Sequence, residues 1–200
     1  MSHYFHTPGG EEHRRRITAR FWDTDWEFTT ADGVFSADGL DLGTAVLLRE
    51  SVPPGGASRL LDLGCGWGVL AVALASACPE AVVDAVDTNE RALALCAANA
   101  AAHGVGERVR TLLPADADPD ARYDEIWSNP PIRIGKQALH DLLLTWLPRL
   151  APGGTARLVV GRNLGADSLQ GWLEASGYRC ERVASAKGFR VFSVRRESDR

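Results

Sequence analysis

A chain of 200 residues, 45% hydrophobic and 24% charged, with 20 glycines and 10 prolines, has the composition of one α/β domain with a sizeable core. A formal net charge of −4 excludes a globally basic nucleic-acid binder, so any RNA contact must be local. Four cysteines (Cys65, Cys78, Cys96, Cys180) lack C-x-x-C spacing, no apolar run reaches membrane-spanning length, and Met1 to Gly10 carries no signal-type stretch, so a reduced, cytoplasmic protein with neither zinc knuckle nor disulfide framework is expected.

The stretches ITARFW and WEFTT flank the turn-like DTD and read as a small hairpin, followed by a helix in DLGTAVLLRES that ends in the loop VPPGGAS. From Arg59 the period alternates. RLLDLG reads as a buried strand, WGVLAVALASA as a helix, AVVDAVD as a strand, and NERALALCAANAAAHG as a helix closed by Gly104. Two strands, RVRTLLP and YDEIWS, precede the helix KQALHDLLLTWLPRL, the strand TARLVVG and the helix DSLQGWLEASG. YRCERVAS and GFRVFSVRR end the chain as two strands joined so closely that they must be antiparallel neighbours at one edge. Helices of this length between strands imply right-handed crossovers, hence an α/β fold: a doubly wound, Rossmann-like, seven-stranded and mostly parallel sheet with an antiparallel edge strand. Residues 1–56 are expected to form a hairpin-and-helix extension packed on a main domain spanning 57–200.

In such a sheet ligands bind beyond the carboxyl ends of the strands, which selects the loops to inspect. LLDLGCGWGVLA places Gly64, Gly66 and Gly68 between a strand and a helix, where glycine lets the backbone turn tightly and approach a ligand. The spacing is G-x-G-x-G, unlike the dinucleotide G-x-G-x-x-G, and Asp62 stands two residues before the first glycine. A carboxylate there repels a pyrophosphate and suits an ammonium group; a tight turn without a ligand is the plain alternative. Asp87 ends the next strand about 20 residues on, the spacing at which a carboxylate accepts hydrogen bonds from ribose hydroxyls. Thr88 or Asn89 could equally make that segment a helix cap, and the two roles can coexist. Asp116, in PADADPD, could accept a proton from an adenine amino group, although Asp and Pro gather in any turn.

WSNPPIRIGK stops a buried strand with a rigid, donor-poor step and hangs the Asn129 amide at its lip. Together, DLGCGWG, the acidic end of the second strand and NPP at the end of the fourth resemble the class I S-adenosyl-L-methionine-dependent methyltransferases. HYF, GVFSADGLDLGTAVLL, NPPIRIGK and KGFRVFSV further resemble the small-domain methyltransferases that include the guanine-N2 enzymes of small-subunit ribosomal RNA. The resemblance implies S-adenosylmethionine as cofactor, with Asp62, Gly64 and Gly66 at its methionine part, Asp87 at the ribose and Ala115 and Asp116 at the adenine. It implies that Asn129 and the Pro130 carbonyl each accept a hydrogen from an exocyclic amine, localising the nitrogen lone pair and aiming it at the methyl group.

Amino-methylating relatives usually carry Phe or Tyr after the two prolines; this chain has Ile132, which with Pro131 can offer an apolar wall but no stacking face. Phe35, Trp26, Tyr4 and Phe5 are candidate replacement rings. Arg133, beside Asn129, is the expected phosphate contact, whereas the runs Arg14–Arg16 and Lys187, Arg190, Arg195 and Arg196 compete with a reading as solvated faces. His3, His6 and His13 fit a head with stray histidines better than a metal site. The expected activity is methylation of guanine N2 in small-subunit rRNA, with RNA as partner and no membrane. Alternatives are a protein glutamine-amide N-methyltransferase, which uses the same N-P-P chemistry, and a non-catalytic cofactor- or RNA-binding module; a nicotinamide oxidoreductase is disfavoured by the glycine spacing and Asp62.

Overall fold

The computed structural model describes residues 13–199. The hairpin consists of β1 (Arg14–Phe21) and β2 (Thr24–Ala31), which pair antiparallel from Arg14↔Ala31 to Phe21↔Thr24. Its turn falls one residue earlier than DTD suggests. Trp22 and Asp23 are the two turn residues, both at positive φ (47° and 57°), as a two-residue hairpin loop requires. A tryptophan tolerates that conformation here because its indole N–H is shared between the carbonyls of Leu48 and Ser51, 2.9 and 3.0 Å away.

α1 (Leu42–Arg49) follows, capped by Asp41, whose carboxylate accepts from the Thr44 amide at 3.0 Å. The main sheet then alternates with helices: β3 (Arg59–Leu63), α2 (Val69–Ala77), β4 (Val82–Val86), α3 (Glu90–Ala102), β5 (Val109–Leu112), β6 (Tyr123–Ser128), α4 (Lys136–Trp146), β7 (Leu150–Gly161), α5 (Ala166–Ala175), β8 (Tyr178–Ala186) and β9 (Phe189–Arg196). β7 starts five residues before TARLVVG, and its pairing with β6 shifts register between Tyr123 and Glu125. Gly154 lies in that shift, where a Cβ would meet the Tyr123 carbonyl at 2.9 Å.

The seven strands run in the order β5-β4-β3-β6-β7-β9-β8. β8 and β9 are antiparallel neighbours at one edge, as expected; the reversed strand, β9, inserts next to β7 and leaves β8 outermost. Side-chain alternation divides the core. Leu60, Val83, Ala85 and Val159 face α2, α3 and the hairpin, while Leu61, Val86, Leu158 and Val160 face α4 and α5. Buried Asp84 ties three strands together, accepting from Arg59 on β3, Arg110 on β5 and the Tyr123 hydroxyl on β6.

The chain order reverses between β3 and β6, which are hydrogen-bonded neighbours with Asp62 opposite Trp127. Their carboxyl ends therefore open the crevice where ligands bind in this architecture. Ser128, the last residue of β6, locks the two ends together by donating its hydroxyl to the Leu63 carbonyl at 2.6 Å.

Candidate active site

At that crevice a small cleft is lined by Phe35, Asp41, Thr44, Asp62, Gly64, Cys65, Gly66 and Asn129, with Ser36, Leu40 and Trp67 beside them. Gly64, Gly66 and Gly68 all adopt positive φ (79°, 52° and 94°), so the loop after β3 needs glycine three times. Open space surrounds the Cβ positions of Gly64 and Gly66, which leaves their backbone accessible. Gly68 is different: a Cβ there would lie 2.7 Å from the Cys96 sulfur, so this glycine lets α2 start in contact with α3.

Asp62 is 1% exposed. One carboxylate oxygen, Oδ2, accepts from the Ala71 amide at 2.9 Å, whereas Oδ1 is buried without a hydrogen-bond partner. Burial pushes its carboxyl up to about 8, against the Ala71 amide and with a further push from the charge of Asp87. A buried acceptor lacking a donor in a ligand-accessible cleft is what an ammonium group would satisfy. Asp87 is bonded already: Oδ2 accepts from Gly66 and Oδ1 from Asn89, each at 2.9 Å, and burial raises its carboxyl while those amides and that of Thr88 hold it down. Three amides on two oxygens still leave a lone pair for a ribose hydroxyl. The cap role belongs to Asn89, whose side-chain oxygen accepts from the Arg91 amide while its NH2 donates to Gly33.

Asn129 stands directly after β6. Its Nδ2 donates to Asp41 Oδ2 at 2.6 Å and Thr44 Oγ1 at 3.1 Å, which occupies both amide hydrogens and leaves Oδ1 as the acceptor of a residue that lines the cleft. Pro130 is buried, and its carbonyl already accepts from the Ile132 amide at 2.8 Å across Pro131, an inverse γ-turn; one lone pair remains. Ile132 is half-buried against the cluster under α4. Arg133 is exposed and makes no ion pair among the described residues.

The other expected residues divide between this cleft and the rest of the surface. Phe35 is 51% exposed and lines the cleft, its carbonyl held by the Trp67 indole at 3.1 Å. Trp26 is no replacement ring: it is buried, stacked between Phe21 and Phe28 in the hairpin core. Tyr4, Phe5, His3 and His6 lie outside the described residues. Ala115 and Asp116 sit on an exposed turn beyond β5, apart from the residues lining the cleft. In the basic runs, Arg15 and Arg16 pair with Asp32 and Glu27 on a solvated face, whereas Arg190 and Arg196, paired with Asp167 and Asp199, have largely buried side chains. Among the described residues no cluster of metal-ligating side chains exists, all four cysteines are free, and no helix is long and apolar enough to cross a membrane. Asp41, Thr44 and Asn99 escaped the sequence reading; for Asp41 the signal was its place as N-cap before an apolar run.

The model of the methyltransferase small domain family matches residues 25–193. The chain is 28% identical over 196 residues to the uncharacterized protein YbxB of Bacillus subtilis, covering 97% of this chain and 98% of that protein. It is 34% identical over 180 residues to the ribosomal RNA small subunit methyltransferase C of Pseudomonas entomophila, covering 87% of this chain and 52% of that protein, so it spans about half the length of that relative. Among solved structures, a T. thermophilus 16S rRNA N2 methyltransferase in complex with AdoMet and guanosine superposes with a TM-score of 0.72 at 23% identity, over 94% of this chain and 52% of that one.

Proposed function

The chain belongs to the methyltransferase small domain family, and from that premise we propose that it transfers the methyl group of S-adenosylmethionine to an exocyclic amine, guanine N2 of small-subunit rRNA. The observation that carries this reading is the state of Asn129: both amide hydrogens are engaged by Asp41 and Thr44, so Oδ1 remains as its acceptor, on a residue that lines the same cleft as Asp62 with its unpartnered oxygen.

When bound, S-adenosylmethionine supplies an electrophilic methyl group on a sulfonium sulfur. Asp62 Oδ1 would take its ammonium, Gly64 and Gly66 would let its methionine part approach the backbone, and Asp87 would accept from the ribose hydroxyls. Ala115 and Asp116 would flank the adenine, beyond the neighbouring strand β5. An exocyclic purine amine is a poor nucleophile because its lone pair is delocalised into the ring. Asn129 Oδ1 and the free lone pair of the Pro130 carbonyl would each accept one amine hydrogen, localising that pair. No strong base is required, since the nitrogen sheds a proton to solvent once it has become cationic. Holding the reacting atoms in line supplies roughly 7–11 kcal/mol of the barrier. Pro131, Ile132 and Phe35 would wall the base, and Arg133 would meet a phosphate.

The test is transfer of tritiated methyl to ribosomal small subunits, naked rRNA and total protein in parallel. Label is expected in RNA, and Arg133→Ala should raise the apparent KM for RNA and flatten its salt dependence, because one fewer counterion is released. Label in protein, with salt-insensitive kinetics, would move the assignment to a glutamine amide.

A further inference from the structure

We propose that Asp41 is a positioning residue for this transfer, whose carboxylate sets the Asn129 amide so that Oδ1, and not Nδ2, meets the substrate amine. The inference rests on the amine-orienting reading of Asn129 above.

A primary amide has two settings about its terminal torsion, with oxygen and nitrogen exchanged. Only one serves here, because Nδ2 turned into the cleft would oppose donor to donor against an incoming amine. Two acceptors decide between them. Asp41 Oδ2 lies 2.6 Å from Asn129 Nδ2 and Thr44 Oγ1 lies 3.1 Å from it, and the first is a short bond to a carboxylate, the stronger kind. With the amide reversed, Oδ1 would face that carboxylate with no hydrogen between them. The bond to Asp41 also draws electron density toward Oδ1, making it the better acceptor.

The same Oδ2 accepts from the Thr44 amide at 3.0 Å, so the first turn of α1 fixes the carboxylate that fixes the amide. Gly43 keeps the meeting point clear. A Cβ at that residue would stand 2.9 Å from Asp41 Oδ2, 2.9 Å from Phe189 Cε1 and 3.3 Å from Asn129 Nδ2. The segment before β3 thus reaches 88 residues along the chain to act on the loop after β6.

Asp41→Ser tests this role, since serine remains an effective helix cap but is too short to hold the amide. Four quantities are compared in wild type, Asp41→Ser, Asn129→Ala and the double variant: kcat on RNA, the Kd for S-adenosylmethionine, the thermal midpoint, and the side-chain amide NMR resonances of Asn129 where it is present. Asp41→Ser is expected to lower kcat by about tenfold or more and to move the Asn129 resonances, with Kd and midpoint near wild type. In the Asn129→Ala background it should cause no further loss, a coupling that a merely structural role would not produce. Full kcat and unmoved resonances in Asp41→Ser, while Asn129→Ala is impaired, would overturn the role of Asp41 alone. Weakened cofactor binding with kcat intact would overturn it by assigning Asp41 to the cofactor. Full activity in Asn129→Ala would instead overturn the reading of Asn129 on which the role depends.

Discussion

Asp62 combines two properties that ordinarily exclude each other, near-complete burial and a carboxylate oxygen with no partner. Its carboxyl is raised from 3.8 to about 8, chiefly by burial, so between those values the folded chain holds a proton that the unfolded chain has released. That contribution to stability is full below the lower value and is lost as pH rises through about 8. Asp62→Asn should therefore flatten the fall of the thermal midpoint across pH 5–9 and be the more stable protein at the alkaline end. The ammonium of the cofactor needs the ionised form, so affinity for S-adenosylmethionine should rise by up to about tenfold per pH unit between 6 and 8 in wild type and not in Asp62→Asn; parallel pH dependences would separate Asp62 from the ammonium. Asp87 is the complementary case, because it shapes the glycine loop through Gly66 in addition to its proposed contact with the ribose. Asp87→Ala should weaken cofactor binding by about ten- to a hundredfold by calorimetry, and equal affinities would remove Asp87 from the site. Asp62 and Asn129 could be singled out in the sequence because each sits within two residues of the glycine or proline step beside it, and Asp87 because it ends the strand about 20 residues past the glycines. Asp41 could not, because its partner is 88 residues away and only the packing of α1 on the sheet brings them together.

Among the elements, the hairpin does more than decorate the sheet. Phe28 of β2 packs edge-on against Trp67 of the glycine loop, ring centroids 5.4 Å apart. Buried Asn99 of α3 exchanges hydrogen bonds with the Thr29 backbone in both directions and donates to the Trp67 carbonyl. Asn99→Ala would leave three main-chain groups without their partner, so a loss of ~2–3 kcal/mol in urea unfolding is expected, together with weaker cofactor binding as the loop loosens. A variant of wild-type stability would show that the hairpin is held by its apolar face alone. The alternation of short apolar runs with helical periods was readable from local pattern, and so were the strands and helices. The turn at Trp22–Asp23 was misplaced because no glycine marks it, and the compensating contact comes from the end of α1. The insertion of β9 between β7 and β8 was likewise beyond local pattern, since both edge arrangements satisfy a short antiparallel connection.

For the molecule as a whole, the net charge of −4 and the proposed polyanionic substrate are compatible only if the cations are placed locally. Arg133 and Lys136, exposed after β6, meet that requirement beside Asn129, and among the described residues neither makes an ion pair. Most ion-paired arginines lie on the hairpin and at the β8–β9 edge, where the sequence alone could not separate a solvated face from a contact surface. On the proposed reading, this arrangement methylates the exocyclic amine of guanine in RNA, with Asn129 aligning it. The direct measurement is mass spectrometry of nucleosides from small-subunit rRNA treated with S-adenosylmethionine and either wild-type protein or Asn129→Ala at equal cofactor saturation. N2-methylguanosine is expected with wild type and a hundredfold or more below it, roughly, with the variant; methyl on adenine N6 or none in RNA, or equal N2-methylguanosine from both proteins, would contradict the account.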